Sequence, residues 1–229
     1  MTERTELEQA RFNMIEQQIR PWDVLDLEIL ELLNVVRREE FVPPAHRGLA
    51  FFDMEIPLLG SSEEAMALGH CMLAPRVEAR LLQELNPRPH EKVLEVGAGS
   101  GYMAALLAHR SQRVVTLDIE PRLAEMARSN LQRANIMNVQ VRESDGAEGL
   151  PEEAPFDAIL LSGSVAQVPH ALLAQLKVGG RLLAIVGDEP VMRANLVNRT
   201  GEATYTTAQP WDTVAPRLVH FPEPSRFKF

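Results

Sequence analysis

The chain has 229 residues, of which 45% are apolar, so it is long enough to bury a sizeable hydrophobic core. Its formal net charge of -9 disfavours nucleic acid and anionic membranes as partners, and a mean hydropathy of -0.12 argues against a membrane-spanning helix. The single cysteine, Cys71, excludes an intrachain disulfide, and the polar N-terminus lacks signal-peptide features, so we expect a cytoplasmic protein.

The first ninety residues are predicted to form a helical arm. Their apolar spacing and their prolines divide them into regular and irregular pieces. In chain order, these are helices over 7–19 and 25–36, an irregular proline-containing segment over 41–60, a cap or loop over 61–64, and a helix over 77–85.

The middle of the chain alternates short apolar runs with helical spacing, which is typical of a parallel sheet covered by helices. We predict strands over 93–96, 113–117, 139–142, 157–161 and 181–186, and helices over 102–109, 121–131 and 169–176, the last closed by Gly179-Gly180. Further strands over 191–199, 202–207 and 214–221 are expected to form an antiparallel edge. The predicted fold is α/β, a Rossmann-like, doubly wound and mostly parallel sheet with a helical N-terminal arm and an antiparallel C-terminal edge.

The turn between the strand at 93–96 and the helix at 102–109 is typical of a ligand site. Gly97, Gly99 and Gly101 alternate there with Ala98 and Ser100. Glycines let the backbone turn sharply and approach a ligand, and the helix that follows offers unpaired N–H groups. The same pattern occurs in ordinary turns, so neighbouring residues must decide between the two interpretations.

Two acidic residues follow the next two strands at the spacing of a nucleoside site. Asp118 lies 21 positions after Gly97, where it can accept hydrogen bonds from both ribose hydroxyls, with Ile119 beside it. Alternatively, Asp118 is an acid that stabilises the N-terminus of the next helix. Asp145, followed by Gly146, either accepts from an adenine amino group or forms an Asp-Gly turn.

The acidic character of this region favours a cofactor without phosphate. Glu95 is interpreted either as the partner of an ammonium group or as a solvated acid at the strand end, and no arginine directly follows Asp118 to bind a 2′-phosphate. The glycine spacing also differs from the G-x-G-x-x-G of dinucleotide sites. We therefore predict S-adenosylmethionine, which has a ribose, an adenine, an amino-acid group and a sulfonium but no phosphate. A nicotinamide dinucleotide is the alternative.

Beyond these residues, the chain resembles the protein-L-isoaspartate O-methyltransferases, which are class I S-adenosylmethionine-dependent methyltransferases, over roughly residues 30–186. The glycine turn reads V-L-E-V-G-A-G-S-G-Y, close to that family's V-L-E-I-G-T-G-S-G-Y. An arm motif and the order of later motifs make the likeness specific. The similar stretches are 36–53, 56–60, 93–102, 143–146, 155–161, 168–169 and 175–182.

The resemblance implies methylation of the abnormal carboxylate of isoaspartyl residues in proteins or peptides, with S-adenosylhomocysteine as the second product. A carboxylate with a pKa near about 4 is ionised at neutral pH, so no general base is needed. The six histidines lack metal-ligand spacing, and we predict no metal site. We expect one domain over 1–229, with the arm and acceptor-site segment over 1–90, the cofactor-binding core over 91–187 and the C-terminal strands over 188–229.

The chain departs from the family pattern at 69–75, where the family has G-Q-T-I-S-x-P. Leu73 falls on the serine that lies at the family's methyl-acceptor site, and a leucine side chain cannot hydrogen-bond a carboxylate. Ser162 and Ser164 either replace the lost polarity or belong to a loop, and Cys71 is either an acceptor-site thiol or a packing residue. An insert over 61–68 lengthens the arm. This departure keeps two other hypotheses open, a related methyltransferase with another acceptor and a non-catalytic S-adenosylmethionine-binding protein.

Overall fold

A seven-stranded sheet forms the centre of the computed structural model, which describes residues 5–223 and confirms the predicted α/β class. The strand order is β5-β4-β3-β6-β7-β8-β9; the first five strands run parallel, and β8 and β9 are antiparallel. The strands are β3 (Lys92–Val96), β4 (Arg113–Asp118), β5 (Val139–Glu143), β6 (Phe156–Val165), β7 (Leu176–Asp188), β8 (Val191–Arg199) and β9 (Tyr205–Thr213).

The arm and the crossover helices surround this sheet. The arm contains α1 (Glu6–Met14), a π-helical turn (Ile15–Ile19), α2 (Leu27–Val35), 3-10 turns (Arg20–Trp22, Arg38–Glu40 and Pro44–Leu49), α3 (Ser62–Leu68) and a two-residue ribbon of β1 (Ile56–Pro57) and β2 (Cys71–Met72). The remaining helices are α4 (Pro75–Leu85), α5 (Tyr102–Arg110), α6 (Pro121–Arg133) and α7 (His170–Ala174), with a 3-10 turn at Pro151–Glu153. Within the described residues, no helix is long and apolar enough to cross a membrane.

Alternate residues of the central strands enter two apolar clusters, one on each face of the sheet. Val93 of β3 packs in the cluster that contains the arm, α4 and α5, whereas its neighbour Leu94 packs in the cluster that contains Leu172 of α7. Both residues are fully buried. Burial on both faces explains why these strands read as continuous apolar runs.

The predicted helix over 169–176 is too long, because α7 ends at Ala174 and β7 begins at Leu176. The Gly179-Gly180 pair therefore lies inside β7 and closes no helix. The pairing of β6 with β7 shifts here, and a Cβ at Gly180 would lie 2.9 Å from the carbonyl oxygen of Asp157. These glycines allow a bulge in the strand.

Two of the predicted C-terminal strands are also placed wrongly. β9 spans Tyr205–Thr213 instead of 202–207, and the segment 214–221 forms no strand. Its pairing is limited to a bridge at Arg217, where Ser164 N–H donates to the Pro216 carbonyl at 2.7 Å and Leu218 N–H donates to the Ser164 carbonyl at 2.9 Å. Pro216 has no N–H with which to extend a ladder.

A buried arginine joins the arm to the rest of the molecule. Arg38 is fully buried; it pairs with Glu78 of α4, and it donates to the carbonyl oxygens of Ala50 at 3.1 Å and Leu73 at 2.6 Å. Burial lowers the pKa of Arg38 to about 10, so the guanidinium remains charged at neutral pH. The pair holds the segment 69–75 against α4.

Candidate functional site

A pocket opens at the carboxyl ends of β3, β4, β5 and β6, where ligands bind in doubly wound α/β folds. Its walls come from Ser162 of β6 and from five other parts of the chain. These are the glycine turn, the β4–α6 connection, the residues after β5, the segment 68–71 and the C-terminal segment 217–221. The insert over 61–68 thus forms α3, and the end of that helix reaches the pocket.

The glycine turn is built from residues that face the pocket and residues that support it. Gly97 and Gly99 line the pocket with positive φ angles of 96° and 51°, and Gly97 N–H donates to the Leu117 carbonyl at 2.8 Å. Ala98 and Ser100 are buried and do not line the pocket. Gly101 has φ 83°, and a Cβ there would lie 3.1 Å from Cα of Ala127 in α6, so it serves the packing of α5 against α6.

Asp118 lies beside the turn, as its spacing predicts. Its side chain lines the pocket and accepts hydrogen bonds from Gly99 N–H at 2.8 Å and Glu120 N–H at 3.0 Å. Burial raises the pKa of Asp118 above its ordinary value, and these two donors oppose the rise. Glu120 is the N-cap of α6, and Asp118 holds the N–H of this residue, so Asp118 also lies at the N-terminal end of that helix. Ile119 lines the pocket and is partly exposed.

Asp145 both forms a turn with Gly146 and lines the pocket. One oxygen accepts from Ala147 N–H at 3.0 Å, which closes the Asp-Gly turn, and the other lies 2.6 Å from Nδ1 of His220. Burial raises the pKa of Asp145, but the Ala147 and His220 contacts outweigh it, so the pKa lies below its usual value. Gly146 is required sterically, because a Cβ there would lie 2.3 Å from Cγ1 of Val96.

Glu95 lies behind the turn and does not line the pocket. It is fully buried and accepts from Oγ1 of Thr116 at 2.6 Å and Oγ of Ser162 at 2.8 Å, so the interpretation as a solvated acid is wrong. Burial raises the pKa of Glu95 to about 7, although the two hydroxyl donors lower it. Glu95 therefore contacts the pocket through Ser162, which lines it.

The acceptor candidates divide into those that reach the pocket and those that do not. Cys71 and Ser162 line the pocket, whereas Leu73 is buried in the core. Ser164 is also buried, and its hydroxyl has no hydrogen-bond partner in the described part of the chain. Burial, with a contribution from Glu55, raises the pKa of the Cys71 thiol to about 12. Cys71 is therefore a neutral thiol at physiological pH.

The sequence reasoning missed the C-terminal wall of this pocket. Arg217, Leu218 and Phe221 line it, and a Cβ at Gly97 would lie 3.2 Å from Cδ2 of Leu218. His70, in the adjoining segment 68–71, was also missed. The apolar character of 217–221 was a signal for burial, but its length suggested a strand and gave no sign that the segment crosses the site.

The pocket suits a nucleoside cofactor without phosphate. It offers the carboxylates of Asp118 and Asp145 and a glycine turn whose close approach a Cβ would block. Among the described residues that line it, Arg217 is the sole arginine or lysine, so a phosphate chain would have few cationic partners. Carboxylates instead favour hydroxyl groups, amino groups and a sulfonium cation.

Comparisons with known proteins agree with this description. The family model for protein-L-isoaspartate(D-aspartate) O-methyltransferase matches residues 9–214. The protein-L-isoaspartate O-methyltransferase of Staphylothermus marinus is 38% identical, over 89% of this chain and 91% of that protein. The enzyme of the same name from Herpetosiphon aurantiacus is 36% identical, over 85% of this chain and 84% of its own length.

Solved structures show the same fold. A protein-L-isoaspartate O-methyltransferase structure superposes with a TM-score of 0.74 at 23% identity; the match covers 93% of this chain and 65% of that one. A Plasmodium falciparum β-aspartate methyltransferase in complex with S-adenosyl-L-homocysteine gives a TM-score of 0.72 at 17% identity, over 93% of this chain and 98% of that one. At these identities, the structural likeness concerns the fold.

Proposed function

Because the chain belongs to the protein-L-isoaspartate(D-aspartate) O-methyltransferase family and is an S-adenosylmethionine-dependent methyltransferase, we propose that it methylates the carboxylate of L-isoaspartyl residues in proteins or peptides. The observation that carries this proposal is the 38% identity to a named isoaspartyl methyltransferase over nearly the whole of both chains. The pocket supports it, since its carboxylates and glycine turn fit a phosphate-free nucleoside. We propose repair of aged proteins as the biological role.

We propose that the cofactor is held mainly by Asp118, which accepts from the ribose hydroxyls, and by Asp145 near the adenine. Both carboxylates line the pocket, and each already holds backbone N–H groups that fix its orientation. The proposed cofactor-binding set is Glu95, Gly97, Ala98, Gly99, Ser100, Gly101, Asp118, Ile119, Asp145 and Gly146. Within it, Glu95, Ala98, Ser100 and Gly101 act by supporting the residues that line the pocket.

The proposed mechanism needs no general base. Bound S-adenosylmethionine supplies a methyl group on a sulfonium, and a substrate carboxylate is ionised at neutral pH. The chain's own task is to orient one carboxylate oxygen and to exclude water. Leu218 and Phe221 are apolar residues of the pocket wall that suit this exclusion. Cys71 and Ser162 are the acceptor-site candidates that line the pocket, whereas Leu73 and Ser164 do not.

We propose a cytoplasmic location, supported by the single cysteine. The partner is a protein or peptide that carries an isoaspartyl residue. The net charge of -9 disfavours nucleic acid or an anionic membrane as a binding surface.

The test measures transfer of labelled methyl groups to an isoaspartyl peptide. We expect a methyl ester that mild base releases, above the level of a heat-killed control. A second candidate function, methylation of another acceptor, is favoured by the burial of Leu73 away from the pocket. It is correct if wild-type protein and Leu73→Ser both leave the isoaspartyl peptide unmodified while the wild type methylates another compound.

A further inference from the structure

Arg217 is one of the residues that line the cofactor pocket, and its side chain is the cationic one among them. The residue sits in the C-terminal segment, at the bridge to Ser164 after β6. Its backbone lies against the segment 69–75, because a Cβ at Gly69 would lie 3.3 Å from the carbonyl oxygen of Arg217. Arg217 thus lies in the pocket wall beside the segment 69–75, which stands where the family has its acceptor-site motif.

Two acids orient this guanidinium and leave one nitrogen unused. Nη2 donates to Asp188, and Nε lies 3.2 Å from Oε1 of Glu223. Nη1 is buried and has no hydrogen-bond partner among residues 5–223. A buried guanidinium nitrogen without a partner is unfavourable, so a ligand oxygen beside it would gain a charge-assisted hydrogen bond.

The other groups of the acceptor side cannot replace this donor. Leu73, which falls on the family's serine, is buried in the core, and Cys71 is a neutral thiol. The Ser162 hydroxyl already donates to Glu95 at 2.8 Å. His70 lies close enough to Asp118 and Glu120 to lower the pKa of both, which places it on the ribose side of the pocket.

We propose that Nη1 of Arg217 binds the substrate carboxylate, in place of the missing serine; this inference rests on the proposed function. One carboxylate oxygen accepts from Nη1, and the other forms the new O–CH₃ bond. The S–CH₃ bond breaks with its electron pair on sulfur, so the carboxylate and sulfonium charges cancel and no proton moves. The ester is neutral, so its carbonyl oxygen accepts a weaker hydrogen bond from Nη1, and Arg217 favours the substrate over the product.

The test compares an isoaspartyl peptide with its carboxamide analogue, a competitive inhibitor that lacks the negative charge. In the wild-type protein, the carboxylate should bind about 10- to 100-fold more tightly than the carboxamide, as expected for one hydrogen bond between charged groups. In Arg217→Gln, this preference should fall to within about threefold, with KM for the peptide raised by the same factor and kcat changed by less than about threefold. Arg217→Lys should recover part of the preference.

Arg193→Gln is the matched control, because Arg193 forms an exposed ion pair with Asp212 away from the pocket. It should leave KM and the preference unchanged. If the wild type methylates the peptide but Arg217→Gln keeps both the KM and the carboxylate preference, Arg217 does not bind the substrate. If Arg217→Gln raises KM but also lowers kcat and the affinity for S-adenosylhomocysteine, Arg217 holds the C-terminal segment in place and the inference is also wrong. An inactive wild-type protein would instead refute the proposed function.

Discussion

Replacing Asp118 by asparagine tests the cofactor pocket at its most buried acid. The substitution preserves size but leaves one acceptor oxygen where the carboxylate has two, so the N–H of Gly99 or of Glu120 loses its partner. A buried donor without a partner costs about 1–3 kcal/mol of stability. For a chain of this size, each kcal/mol lowers Tm by about 2–4 °C.

Asp118→Asn should weaken cofactor binding more than the same substitution of an exposed aspartate would, because the Asp118 carboxylate is buried. Two ribose hydroxyls that donate to an ionised, 7% exposed carboxylate would each lose about 1–1.5 kcal/mol when the acceptor becomes neutral. We therefore expect Asp118→Asn to raise the Kd for S-adenosylhomocysteine about 30- to 150-fold. Isothermal titration calorimetry measures this without turnover.

The pH dependence gives a second readout of the same residue. Burial raises the pKa of Asp118, and the ionised form is the one that accepts from the ribose. Wild-type affinity should therefore decline as the pH falls through this raised pKa, and Asp118→Asn should show no such decline. Asp212→Asn, at an exposed position, is the control. A Kd within threefold of wild type for Asp118→Asn, or an equal loss in Asp212→Asn, would refute the ribose assignment.

Three further predictions concern stability. Gly146→Ala should lower the free energy of unfolding by about 1–3 kcal/mol, since its Cβ would overlap Val96, and adding Val96→Ala should recover part of the loss in thermal melts. The raised pKa of Glu95, about 7, means that the folded state favours the protonated acid, so wild-type stability should fall as the pH rises from about 4.5 to about 7. Urea unfolding of Glu95→Gln should lack this fall, and parallel curves for the two proteins would contradict it. Glu78→Leu leaves the buried Arg38 charge unpaired and should cost about 3–5 kcal/mol, whereas Arg38→Met with Glu78→Leu should regain most of it; an equally unstable double variant would contradict this.

The sequence was sufficient for the sheet and the glycine turn because both depend on local pattern. The apolar runs of β3 and β4 are buried on both faces, and the spacing from Gly97 to Asp118 follows from one turn, one helix and one strand. Apolar strands and this spacing are common to chains that fold into a strand–turn–helix–strand unit, so they can be predicted from the sequence without knowledge of tertiary contacts.

The rest of the site depends on contacts between distant parts of the chain. The partner of Asp145 is His220, and Glu95 faces Thr116 and Ser162 because the side chains of neighbouring parallel strands point the same way. Arg217 reaches the pocket through a single bridge to Ser164. No spacing in the sequence encodes such a contact, and the apolar residues around Arg217 resemble those of a strand.

The most direct test of the proposed function places an isoaspartyl peptide and its normal aspartyl isomer in one reaction with labelled S-adenosylmethionine. Mass spectrometry then locates the methyl group on each peptide. We predict a base-labile methyl ester on the isoaspartyl peptide and none on the aspartyl isomer. Equal labelling of both peptides, or no labelling above a heat-killed control, would contradict isoaspartyl methyl transfer as the function of this protein.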